Sequence, residues 1–397
     1  MESIRRVIED TVRQALEAFP AVVLTGPRRA GKTTLLREML PEATYVLLED
    51  PDIQSRIRVD PRSLLESLKP PVIFDEIQNA PQLFNYVRTM IDQHPRRMGQ
   101  WLFTGSQELP LMKGVTESMA GRAAILELLP MSIVETPKVD LFLGGYPEVL
   151  ARPRDREMRF NSYLQTYLER DVRSITNVRD LPTFRAFLTL LATRHGQVLN
   201  RTDLAAPLGV SVPTIEQWLR VLEMTNQILR VPPYFENLGK RLIKSPKVYW
   251  LDSGMACFLL SVPSAADLDK SPFLGPLYEG FIAGEICKWQ VNRGRRKELY
   301  YFRDRQGLEV DFLIPDAGGA VWLVEAKASR TPVPRMAESV DTLRCALLKR
   351  ERPVRAFVVH RRSKSAVVRT SALVPGVEAR TTEEFVDLLR TQRAGIL

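Results

Sequence analysis

Gly26-Pro27-Arg28-Arg29-Ala30-Gly31-Lys32-Thr33 satisfies G-x-x-x-x-G-K-[ST] at every required position, and its reading decides the fold. The apolar run Ala21-Val22-Val23-Leu24 precedes it as a buried parallel strand, and Thr34-Leu35-Leu36-Arg37-Glu38-Met39-Leu40 follows as a helix. That strand–loop–helix order is the context a phosphate loop requires. The glycines let backbone N–H groups turn inward around a triphosphate, at a helix N-terminus where the peptide dipoles favour negative charge. Residues Gly26 through Thr34 are therefore expected to cradle ATP. Lys32 would reach the β- and γ-phosphates and the Thr33 hydroxyl would ligate Mg²⁺.

Outward from this loop, strands and helical segments alternate. Tyr45-Val46-Leu47-Leu48 leads into Glu49-Asp50-Pro51, Pro71-Val72-Ile73-Phe74 into Asp75-Glu76, and Trp101-Leu102-Phe103 into Thr104-Gly105-Ser106. A fifth strand, Ala124 to Leu128, closes the unit before Pro130, and residues 4–18 read as an amphipathic helix. Such spacing predicts an α/β core with a parallel sheet covered on both faces. Asp75 and Glu76 at a strand end have the geometry of a Walker B element: Asp75 for the Mg²⁺ shell, Glu76 to polarise the attacking water. Ser106, or alternatively Thr104, could orient that water from the next strand. Arg122, or Arg170 within Glu169-Arg170-Asp171, could reach the γ-phosphate of a neighbouring subunit.

Charge divides the chain unevenly. Residues 1–150 hold 17 Lys+Arg against 20 Asp+Glu, and the remainder holds 39 against 27, within a net charge of +9. A basic second part suggests a polyanion partner, DNA above all. Cys257, Cys287 and Cys345 are widely separated, and only three histidines are present, which argues against a zinc site or disulfide frame. No apolar run reaches the ~20 residues of a membrane span, and the amino terminus has no apolar signal core. A cytoplasmic protein without membrane contact is expected.

Four segments follow: a core over 1–135, a helical lid over 136–180, a third unit over 181–260 and a last one over 261–397, with Ser261–Pro276 read as a linker. Residues 202–219 suggest two helices around Gly209, followed by β-type runs, the pattern of a winged helix. If it meets DNA, Ser211, Thr214 and Gln217 would face the groove and Lys240, Arg241, Lys244 and Lys247 would contact phosphates. A lid or docking role is the alternative. In the last unit, Glu325 and Lys327 are two apart on a strand and share a face, Asp311 lies on the strand before, and Glu279 lies on a helix. Converging carboxylates beside a lysine can hold Mg²⁺ and activate water, or can form salt bridges on a solvated face.

Gly26–Thr33, Val72–Gln78, Leu102–Ser106, Gly121-Arg122, Gly144-Gly145-Tyr146-Pro147-Glu148, Tyr167–Val172, Asn237–Arg241 and Tyr249–Gly254 together resemble the AAA+-superfamily "predicted ATPase" family of bacteria and archaea. The resemblance covers essentially the whole chain. It implies an AAA+ P-loop NTPase core, a winged-helix domain, and a C-terminal domain similar to the PD-(D/E)xK restriction-endonuclease-like fold. Asp311, Glu325 and Lys327 match that fold's metal-and-lysine signature and Glu279 its helical glutamate, whereas Gly280 replaces the asparagine usual after it. The combined expectation is an ATP hydrolase that assembles as a ring, a hexamer, and couples Mg²⁺-dependent hydrolysis to work on DNA. The alternatives are a nucleotide-gated switch on a protein partner or an ATP-assisted metal-dependent nuclease.

Overall fold

The computed structural model describes residues 4–105, 118–167, 180–234, 245–316, 319–362 and 371–391. Strands β1 (Ala21–Thr25), β2 (Thr44–Leu47), β3 (Val72–Asp75), β4 (Trp101–Thr104) and β5 (Ala123–Glu127) form one sheet in the order β2-β3-β4-β1-β5. All of its pairings are parallel. Because strand side chains alternate, β1 is apolar on both sides: Val22 and Leu24 pack with Val12, Leu35 and Leu36, while Ala21 and Val23 pack with Leu64, Phe84 and Val87. The helices Glu9–Ala18 and Lys32–Met39 thus cover one face, and Pro51–Val59, Pro61–Glu66 and Leu83–Gln93 the other. The first helix begins at Glu9, later than the expected residue 4. Asp50 explains the acidic turn, since its carboxylate caps Pro51–Val59 by accepting from the N–H of Asp52 at 2.8 Å.

Residues 181–250 build a second unit. Helices Leu181–Thr193, Arg201–Leu208 and Val212–Met224 pack around Phe184, Phe187 and Trp218, whose rings lie 5.1–5.2 Å apart across the Trp218 contacts. Gly209, at φ +64°, ends one helix and Ser211 caps the next by accepting from Thr214 N–H at 3.2 Å. Strands β6 (Gln197–Val198), β7 (Ile228–Val231) and β8 (Lys247–Trp250) complete it as an antiparallel sheet in the order β6-β8-β7.

The third unit is a six-stranded mixed sheet, β13-β14-β12-β11-β10-β9. Its strands are β9 (Tyr300–Arg303), β10 (Glu309–Pro315), β11 (Val321–Lys327), β12 (Val354–His360), β13 (Ser371–Val374) and β14 (Val377–Thr381). Helices Leu274–Val291 and Thr382–Thr391 cover one face through Phe312, Trp322, Phe357 and Phe385; Glu338–Leu348 covers the other through Leu323, Val340 and Val358. Leu274–Val291 is buried around most of its circumference because residues 129–139 pack against it on the side away from the sheet.

The expectation of a linker over Ser261–Pro276 is corrected. Val262 and Leu268 are buried, a short helix spans Ala265–Leu268, and Asp269 pairs with Arg330 and Arg361. Apolar anchors spaced among small polar residues made a packed connector look like a loop. Among the described residues, no helix is long and apolar enough to cross a membrane.

Candidate functional site

The phosphate loop leaves β1 at Thr25 and enters the helix at Lys32. Gly26 has φ +139°, and a Cβ there would lie 2.1 Å from the Leu128 carbonyl oxygen. No other residue fits, so this glycine answers both backbone geometry and close approach. Gly31, at φ +97°, turns the chain into the helix. Lys32 Nζ donates to the carbonyls of Gly26 and Pro27 at 3.0 Å each, which folds the ammonium back over its own loop.

Asp75 stands at the centre of the polar cluster. Thr33 Oγ1 donates to its carboxylate at 2.9–3.0 Å, the Tyr45 hydroxyl donates to Oδ2 at 2.7 Å, and Thr104 Oγ1 bonds Oδ1. Burial first, then the bond to Asp75, pushes the Tyr45 phenol pKa well up, so it stays protonated and donates. Glu76 takes a left-handed backbone (φ +60°), which swings its side chain toward Arg28, 3.9 Å away, and Gln78 Nε2 donates to its second oxygen. Adjacent strands supply these groups: β2 brings Tyr45, β3 Asp75 and β4 Thr104. A hydroxyl and a carboxylate 2.9 Å apart at the foot of a phosphate loop suit octahedral Mg²⁺, which takes few protein ligands.

A cleft of about 460 Å³ opens beside this cluster, lined by Arg28, Arg29, Lys32, Thr34, Glu76 and Glu148 among others. Glu148 crosses from the helix Pro147–Ala151 to Arg29 at 2.8 Å and holds Arg159, on the helix Arg156–Tyr167, at 3.1 Å. One carboxylate therefore links the phosphate loop to the segment after the core. Arg122 sits at the opposite edge of the sheet: its carbonyl accepts from the N–H of Ala21, where β1 begins, and its guanidinium pairs with Asp92 at 2.6 Å. A strand length of roughly 17 Å separates that edge from Gly26, so Arg122 does not serve the cleft of its own chain. Ser106, Arg170 and the basic residues Lys240, Arg241 and Lys244 lie outside the described residues. Thr104 was readable at a strand tip; the place of Tyr45 in an apolar run gave no signal of its role.

Glu279, Asp311 and Glu325 do come together, with an unforeseen companion. Lys247 Nζ lies 2.8 Å from Glu279, 2.6 Å from Glu309 and 3.7 Å from Asp311, and the Tyr249 hydroxyl donates to Glu279 at 2.5 Å. The expectation of Lys247 as a phosphate contact is corrected, because its side chain is 4% exposed and faces the carboxylates. Burial works to lower its pKa, but Glu279 and Asp311 outweigh it and the net shift is upward. Lys327 pairs with Glu325 at 2.6 Å, and Asp311 accepts from Ala326 N–H at 2.9 Å. Burial and the Asp311 charge raise the Glu279 carboxyl to about 7 and Glu325 to about 8. Among the described residues, no three His, Cys, Asp or Glu side chains are arranged to hold a metal ion. The expected Mg²⁺ set of Glu279, Asp311 and Glu325 does not fit as one set: the Lys247 ammonium lies beside Glu279 and Asp311, and Lys327 holds one oxygen of Glu325, whose other oxygen is buried without a hydrogen-bond partner among the described residues.

Gly280 also finds its reason here. A Cβ at this position would lie 2.0 Å from His195 Nε2, so the imidazole occupies the space an asparagine would need. On the helix expected to meet a groove, Ser211 is spent on its cap, and Glu216 binds Arg201, Arg220 and Arg230 at 3.1–3.2 Å. Thr214 and Gln217 lie on the same helix, half-buried and exposed respectively.

Three family models cover this chain: an AAA domain over residues 18–136 and two domains of unknown function, DUF8612 over 138–266 and DUF4143 over 274–375. The uncharacterized proteins Rv2008c of Mycobacterium tuberculosis and Mb2031c of Mycobacterium bovis are each 32% identical over 394 residues, covering 97% of this chain and 86% of theirs. Among solved structures, the Walker-type ATPase PABY2304 of Pyrococcus abyssi overlaps 64% of this chain and 95% of its own, at 16% identity and a TM-score of 0.43. A RuvB variant of Thermotoga maritima overlaps 57% and 89%, at 18% identity and 0.29. With its AAA-type, nucleotide-binding ATPase domain followed by two further domains, the chain belongs to the family of these mycobacterial proteins.

Proposed function

We propose that the protein is a Mg²⁺-dependent ATP hydrolase whose nucleotide state is passed through Glu148 to the units that follow and spent on DNA. The single observation that carries hydrolysis is the convergence of Thr33 and Glu76 on one cleft beside Lys32, with Asp75 bonded to Thr33 beneath it. Thr33 and Asp75 would hold Mg²⁺, which supplies charge neutralisation at the β- and γ-phosphates. Lys32 would exchange the Gly26 and Pro27 carbonyls for phosphate oxygens, and Glu76, steadied by Gln78, would align a water against the γ-phosphorus. In that step the water oxygen bonds to phosphorus, the β–γ bridging bond breaks, and the proton passes through Glu76. ADP and inorganic phosphate leave.

Arg122 is partly exposed, paired with Asp92 and remote from its own nucleotide, which supports a finger acting on a neighbour within a ring, a hexamer in this reading. Two helices around Gly209 with a following antiparallel sheet support a winged helix over 181–260, and the mixed sheet under Leu274–Val291 supports a restriction-endonuclease-like fold over 261–397. The positive balance beyond residue 150 supports the DNA partner. A second reading, a nucleotide-gated switch on a protein, is favoured by Glu216 alone, since from the helix expected to meet DNA it pairs with Arg220 on that helix, Arg201 on the helix before and Arg230 on β7.

Radiometric hydrolysis and nucleotide binding test the first claim. Lys32→Ala should abolish binding, and Glu76→Gln should keep binding while slowing turnover at least about 100-fold. Unchanged turnover in Glu76→Gln overturns the assignment. Anisotropy titrations of duplex, single-stranded and branched DNA at rising salt separate the partners. Binding that falls steeply with salt supports DNA, and none at low salt leaves the protein switch.

A further inference from the structure

We propose that Lys247 is a fixed internal cation that takes the place of a divalent metal in the C-terminal carboxylate nest, making this site a metal-free joint between the second and third units that does not cleave phosphodiesters. The inference is independent of the ATPase reading.

Position comes first. Lys247 and Tyr249 arrive on β8 of the second unit; Glu279 comes from the helix Leu274–Val291, and Glu309 and Asp311 come from β10. All three carboxylates lie within 4 Å of one ammonium nitrogen. An ion at their common focus would have to occupy the volume that Nζ fills. Magnesium–oxygen contacts are about 2.0–2.1 Å in near-octahedral order, whereas the ammonium meets Glu309 and Glu279 at 2.6 and 2.8 Å as a hydrogen-bond donor. Asp311 turns its other oxygen to the Ala326 N–H, and Glu325 gives one oxygen to Lys327. Both ammoniums at the nest are thus part of the chain, and the second Glu325 oxygen is buried without a hydrogen-bond partner among the described residues.

The surroundings fix the lysine in place. Its nitrogen also lies 5.6 Å from the centre of the Tyr301 ring. Beside it the backbone continues the joint: Tyr234 N–H donates to Tyr301 O at 2.6 Å and Tyr301 N–H to Pro232 O at 3.1 Å. Removing one partner of such a buried pair leaves carboxylates uncompensated, and a divalent cation then becomes the remaining remedy.

The test uses the full chain carrying Asp75→Asn, which takes Mn²⁺ binding at the nucleotide site out of the measurement. Electron paramagnetic resonance should detect no saturable Mn²⁺ site in this protein, and supercoiled plasmid should stay intact with Mg²⁺ or Mn²⁺. Adding Lys247→Met should create one saturable Mn²⁺ site, and further adding Asp311→Asn should abolish it. A Mn²⁺ ion in the Asp75→Asn protein that disappears with Asp311→Asn overturns the proposal. So does plasmid cleavage lost in Lys327→Ala, or a folded Lys247→Met protein that gains no site. Should Lys247→Met fail to fold, the Asp75→Asn protein decides alone: no Mn²⁺ site supports the proposal, and an Asp311-dependent one overturns it. Because Lys32 and Glu76 play no part in these readouts, failure here leaves the hydrolase tests untouched.

Discussion

The Tyr45 hydroxyl donates to Asp75 Oδ2 at 2.7 Å, from the strand beside the one that carries the carboxylate. The phenol is one of three hydroxyls that aim Asp75, with those of Thr33 and Thr104. Tyr45→Phe removes one donor and leaves the ring under Arg37, whose guanidinium carbon lies 4.9 Å from the ring centre. We expect half-maximal hydrolysis to need several-fold more Mg²⁺ while ATP affinity without metal is unchanged. Stability should fall by about 1 kcal/mol. A Mg²⁺ titration of turnover checks the first, and urea melts the second.

The Arg29–Glu148 pair is half-exposed on both sides, so it is worth at most about 1 kcal/mol. Glu148→Gln frees Arg29 for phosphate and should tighten ATP binding by up to about fivefold, measured by calorimetry. It also releases Arg159, so limited proteolysis after residue 150 should lose its dependence on nucleotide.

Gly280→Asn restores the residue usual at that place in the resembling family and drives it into His195 Nε2. Overpacking of this kind costs about 1–3 kcal/mol. Adding His195→Ala should recover much of the loss, and a double-mutant cycle on urea midpoints reads the coupling directly.

His195 accepts from the Trp250 N–H through Nδ1 at 3.1 Å, and burial lowers its pKa to about 3, from 6.5. Below pH 6.5 the unfolded chain therefore binds a proton that the folded chain refuses. Stability falls as pH drops through the window from 6.5 to about 3, by about 1.4 kcal/mol per pH unit from this group. His195→Gln should flatten that slope in urea melts at pH 4.5, 5.5 and 6.5.

Short-range features were legible in the sequence, and features set by strand order were not. The loop from Gly26 to Thr33 and the apolar runs of β1 to β5 are local patterns, and each finds its element. Tyr45 and Thr104 meet Asp75 only because β3 lies between β2 and β4, which no spacing along the chain reveals. Lys247 illustrates the converse. A lysine among other basic residues reads as solvated, and only the folded position of Glu279 and Glu309 shows that it is buried. Gly280 looked like a departure from a motif, yet it is the complement of a histidine 85 positions earlier.

Lys297 joins Glu127 at the end of β5 to Asn226 ahead of β7, at 2.6 Å each, from just beyond the helix Leu274–Val291. That helix also grips the stretch after the core, through Ile133 N–H to Glu285 and Lys288 to the Met131 carbonyl. An isolated amino-terminal fragment would lose this buttress and present raw apolar surface to water. Heat and denaturant should accordingly melt the polypeptide in one concerted event, and inheritance should favour keeping all of its parts together.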